Sequence, residues 1–107
     1  MNKEFKINGW GTIYECKFSG NKERGVTIVY KDEEFGGAWM PFANFTSENV
    51  GCGWSIKNYS ENAPWADRIL ADLLDEEYCK WVGRHSSGFV TMPVVAFTDK
   101  FWNELCA

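Results

Sequence analysis

The chain has 107 residues, with 11 bases and 15 acids for a formal charge of −4, and 18 of its side chains are Phe, Trp or Tyr. One domain is the natural unit at this length, burying about 65% of its unfolded surface without metal or disulfide support. A mildly acidic balance excludes the basic face that phosphate-backbone binding requires, so no direct nucleic-acid binding is expected.

No apolar run approaches the roughly 18 residues of a membrane span, and the first residues lack the apolar stretch of a secretory signal. The chain therefore reads as cytoplasmic, with no membrane contact. Its four cysteines (Cys16, Cys52, Cys79 and Cys106) read as reduced thiols that behave as small buried hydrophobes.

Phe5 and Ile7, set among Glu4, Lys6 and Asn8, predict a short first strand. In 12–18, Thr12, Tyr14, Cys16 and Phe18 alternate with Ile13, Glu15 and Lys17, the period of a half-buried strand. Val26, Ile28 and Tyr30 alternate with Thr27, Val29 and Lys31 in the same way. The polar segment 19–25 between them, glycine at both ends, makes the pair a hairpin. Asp32, Glu33 and Glu34 then turn the chain into 35–42. There the rings favour a strand while Gly36, Gly37 and Pro41 weaken it, and an edge strand with a bulge fits. Residues 43–52 read as loop, and Trp54 and Ile56 as a short extended piece.

The clearest helix is expected over 63–82, capped by Ser60 or Asn62, with Pro64 in its first turn and Gly83 as its stop. At about 100° per residue, Ile69, Leu70, Leu73, Leu74, Tyr78 and Trp81 share one arc, with Arg68, Asp72, Asp75 and Glu76 opposite. Glu77 falls inside the apolar arc, and three readings stay open. The helix breaks at Asp75 and turns Glu77 outward, its carboxylate reaches past its neighbours to water, or it is buried with a raised pKa. Residues 83–88 read as loop, and 89–97 as a strand apolar on both faces, an edge strand or one bulged at Pro93. Thr98 caps a last short helix carrying Phe101, Trp102 and Leu105. The expected fold is a single α+β domain over 1–107. It has an antiparallel sheet of four to five strands, one long helix packed across a face and a short C-terminal helix.

No residue set specifies a reaction, and no catalytic residue, metal or cofactor is expected. His85 is the one histidine available to a thiol, and Cys79 is expected at a helix C-terminus, where the partial negative charge opposes a thiolate. The cysteines are separated by 36, 27 and 27 residues, with no pair at the short spacing of structural zinc sites. The loop 83–88 is the best small-ligand candidate. Arg84 offers paired donors, His85 an imidazole, and Glu77 a carboxylate nearby. This gives one alternative reading, an anion-binding domain or small enzyme with a concave, partly apolar pocket.

The leading expectation is a protein that binds another protein as an inhibitor or antagonist. Each ring removes roughly 150–250 Å² from water when buried, and so many exceed what a small core easily absorbs. Trp39, Phe42 and Phe45 lie on an irregular segment suited to recognition, and Asp72, Asp75 and Glu76 form an acidic helix face suited to a basic partner. In size and composition the chain is similar to small phage or mobile-element inhibitors and bacterial immunity proteins. A further alternative is a structural subunit whose rings are buried by homo-oligomerisation.

Overall fold

The computed structural model describes residues 4–9, 11–47, 53–57, 59–88 and 90–106. Trp10, Cys52, Phe89 and the segment 48–52, which bear on several of the expectations above, lie outside these residues, as does the side chain of Ser60. Seven strands form one antiparallel sheet, not the expected four or five. They are β1 (Phe5–Gly9), β2 (Thr12–Asn21), β3 (Gly25–Asp32), β4 (Ala38–Ser47), β5 (Trp54–Ile56), β6 (Cys79–Ser87) and β7 (Val90–Phe97), with spatial order β1-β2-β3-β4-β5-β7-β6. Two helices accompany them, α1 (Tyr59–Asp75) and α2 (Asp99–Glu104).

The first hairpin follows its alternation. Cys16, Phe18, Val26 and Ile28 are buried, whereas Ile13, on the opposite face of β2, is exposed. Both strands run further than the pattern suggested, and Asn21 closes the turn by accepting from the amides of Glu23 and Arg24. Gly20 is required here, because a Cβ at its φ of 125° would meet the Gly25 carbonyl oxygen at 1.9 Å.

β4 is an inner strand rather than an edge. Ile28 pairs with Ala43 and Val29 with Pro41, so Phe42 is the extra residue of a bulge. Pro41 is tolerated because, among the described residues, β5 pairs with β4 only at Phe45, Thr46 and Ser47, and no strand pairs with β4 beside Pro41 on that side. Pro93 is excused in the same way, since β5 meets β7 only at Val95. The bulge in that pair falls on β6 at Val82, opposite Val94 and Val95, not at Pro93.

The helix expected over 63–82 instead begins at Tyr59 and stops at Asp75. Pro64 therefore sits inside it, and Asn62 donates to the Lys57 carbonyl rather than capping. Its end is a Schellman motif. The amide of Tyr78 donates to the Leu73 carbonyl at 2.8 Å, that of Glu77 donates to Leu74 at 3.2 Å, and Glu77 adopts the left-handed conformation with φ of 62°. Tyr78 and Leu73, the apolar pair of such a motif, are both buried. Glu77 is thereby turned outward and exposed.

Helix α1 touches β1 and β6, the two edges of the sheet, as well as β5 and β7. In a flat seven-stranded sheet those edges would stand about 29 Å apart, far more than the roughly 10–12 Å width of a helix. The sheet is curled into half a barrel, and α1 occupies its opening. The expectation of a long helix laid across one face of a small sheet is corrected accordingly. Inside the curl, rings run in contact from Phe5 to Phe18 (4.8 Å between centroids), to Phe101 (5.1 Å), and on to Phe97, stacked on Phe101 at 4.0 Å. The accessible surface is 6708 Å².

Candidate functional site

The half-barrel absorbs the rings that the composition left in surplus. Among the described residues only Phe35 (65%) and Trp81 (50%) are exposed aromatics, and they are isolated from each other in the fold. Phe45 is buried in the core, so its ring is not available to a partner. Phe42 turns inward onto Tyr14 and Trp65. Only Trp39 of that trio lies on the outer face, half-buried, with the Lys17 ammonium 4.3 Å from its ring centroid. A curled sheet encloses more inward-facing positions than a small flat sheet under one helix, which is why ring number misjudged the available room.

The acidic trio fares differently. Asp72, Asp75 and Glu76, exposed at helical spacings of three and four, form the rim of a cleft of about 300 Å³. Its floor is apolar and comes from three elements, the turn after α1 and the residue after α2: Phe5 of β1, Phe18 of β2, Ile69 and Leu73 of α1, Tyr78 and Leu105. Lys6 of β1 stands on the opposite lip. Tyr78 is anchored by donating its hydroxyl to Glu104 at 3.3 Å, and burial, then Glu104 and Glu76, raise its pKa. The floor residues were hidden in the sequence because they come together only when the sheet curls β1 towards the end of α1.

The rim is poorly placed for the stability of its own helix. Asp75 and Glu76 lie at the C-terminal end of α1, where the helix dipole presents negative charge, and no base stands in that last turn. Asp72 is additionally three and four residues from two further carboxylates, each such like-charge pair costing about 0.2–0.5 kcal/mol. Lys100 supplies partial relief from α2, donating to the Glu76 carbonyl at 2.7 Å.

Arg84, His85 and Glu77 do not form a site together. The segment 83–88 is not a loop; it belongs almost wholly to β6, and neighbouring residues of a strand project to opposite faces. Arg84 stands over the Trp81 ring at 5.5 Å and lines a second cleft of about 290 Å³ with Tyr59, Asp67, Thr91 and Pro93. His85 pairs in register with Met92 and faces the other way. Glu77 precedes β6, about 20 Å from Arg84 at the usual rise of a strand. In the second cleft the Tyr59 hydroxyl donates to Asp67, and burial followed by that carboxylate pushes its pKa up to about 12.

Cys16, Cys79 and Cys106 are free and buried, and burial pushes their thiols up to about 12, about 12 and about 11. Cys79 opens β6 rather than ending a helix, so burial and not the helix dipole opposes its thiolate. It lies about 20 Å along the strand from His85, too far for a shared proton. Among the described residues no group of three or more His, Cys, Asp and Glu is arranged to hold a metal ion, and no helix is long and apolar enough to cross a membrane. No protein-family model, curated protein or solved structure matches the chain.

Proposed function

We propose that the chain acts by binding another protein, as an inhibitor or antagonist, through the acid-rimmed cleft between β1 and the C-terminal half of α1. The observation that carries this reading is the rim itself. Three carboxylates weaken the helix that bears them, yet stand around an apolar floor. Local sequence choices that oppose stability concentrate where a protein meets its ligand. An apolar centre with a charged border is also the anatomy of a protein interface. The likeness in size and composition to small phage or mobile-element inhibitors and immunity proteins supports an antagonist's role.

The test compares the native chain with an Asp72→Lys/Asp75→Lys variant, each immobilised and exposed to extract from the source cells. Circular dichroism checks that both are folded. At least one protein is expected to be retained by the native chain and released by the variant. Identical retention by both ends this reading.

A further inference from the structure

The cleft continues into a narrower arm along the seam between β1 and α1, lined by Lys6, Ile7, Asn8, Trp65, Arg68 and Asp72. One wall of this groove is an edge of the sheet. β1 pairs with β2 on one side only, and among the described residues no backbone partner meets its other side. The opposite edge, β6, carries a bulge at Val82 and the charges of Lys80 and Arg84, whereas β1 carries the single charge of Lys6 and pairs regularly, without bulge or proline. Trp65, which lines the groove, is 6% exposed, and among the described residues its buried indole N–H has no acceptor.

Resting on the protein-binding reading above, we propose that the partner enters as an extended segment that adds to β1 as a further strand, with basic residues at the Asp72, Asp75 and Glu76 end. Strand addition satisfies the unpaired edge of β1, where the amides of Lys6 and Asn8 point away from β2. Alternating side chains of an added strand reach the floor at Phe5, Ile69 and Leu73, while a Lys or Arg between them meets the carboxylates. Arg68 lines only the arm away from Asp75 and Glu76, and Lys6 is the one base against three carboxylates in the wider cleft, so the basic residues of the segment belong beside Asp75 and Glu76.

The experiment is selection of a random nine-residue peptide library on the intact chain, followed by a synthetic copy of the enriched sequence. Enrichment of Lys and Arg over Asp and Glu, alternating with apolar residues, is expected. The synthetic peptide should slow hydrogen exchange at the amides of Lys6 and Asn8, which point away from β2, and shift the Trp65 indole resonance. Its affinity should fall at least tenfold for Asp75→Lys/Glu76→Lys. Peptides without basic enrichment, or protection confined to the Trp81 cleft, overturn strand addition at β1. Protection of β1 that grows with concentration of the chain alone also overturns it, since the occupant is then a second copy. If β1 stays unprotected while the partner-retention difference persists, strand addition falls and the protein-binding reading stands.

Discussion

The ammonium of Lys100 donates to the backbone carbonyl of Glu76 at 2.7 Å while lying 4.5 Å from the ring centroid of Tyr78. One side chain thus satisfies an orphan carbonyl at the end of α1, offsets part of the acidic rim and covers a floor residue of the cleft. Removing the charge in Lys100→Met should cost about 0.5–1.5 kcal/mol, the scale of one hydrogen bond. Urea unfolding measures it, and an unchanged midpoint would show that the contact contributes nothing.

Glu77→Gly should stabilise the protein. Glu77 holds the left-handed position of the Schellman motif at φ 62°, is exposed, and among the described residues has no side-chain partner to lose. Relief of that conformation outweighs the extra freedom of glycine in the unfolded chain, for a gain of about 0.5–1 kcal/mol. Glu77→Val, β-branched, should lose stability instead. Thermal midpoints of the two variants falling on the same side of the parent would contradict the assignment.

The ring trio separates by location. Phe45→Ala empties a core site and should cost about 3–5 kcal/mol. Trp39→Ala loses one outer-face cation–π contact with Lys17 and should cost about 1 kcal/mol. Denaturant titration of both variants tests the contrast, and comparable losses would place Trp39 in the core as well.

Alkaline pH should destabilise the fold before it denatures from net charge. Cys16, Cys79 and Cys106 are held protonated up to about 12, 12 and 11, against 9.0 ordinarily, and Tyr59 up to about 12 against 10.0. The folded state binds these protons more tightly, so the stabilisation is complete below pH 9 and is lost as pH rises towards 11–12. Urea midpoints should fall steadily over that window. The three thiols should also resist alkylation at pH 8 until the chain unfolds; rapid native-state labelling at Cys16 or Cys79 would contradict their burial.

Helix reversal of Asp75 and Glu76 to Lys should raise stability by a few tenths to about 1 kcal/mol through the dipole and the removed repulsions. A variant more stable than its parent that has lost its partner is the signature of a rim kept for binding. A loss of stability on reversal would remove the electrostatic reason for that conclusion.

The first hairpin is local and was legible in the sequence. Alternation over Tyr14, Cys16 and Phe18, and over Val26, Ile28 and Tyr30, fixes which face of the first hairpin is buried, because side-chain direction in a strand depends only on parity. The apolar stripe of α1 through Leu73 follows from helical period in the same way, whereas Thr98 precedes α2 without capping it, its hydroxyl donating instead to the carbonyls of Glu77 and Tyr78. What tertiary structure decided is where those periods stop. Tyr78 and Trp81 continue the stripe of α1 on paper, yet the Leu73–Tyr78 closure and the pairing of Cys79 with Phe97 take that segment into a strand. The bulge at Val82 then switches its parity, hiding the strand from any two-residue pattern. Curl, and with it the meeting of Phe5 with Leu73 beneath Asp72 and Asp75, depends on pairings across the whole chain, which no local period encodes.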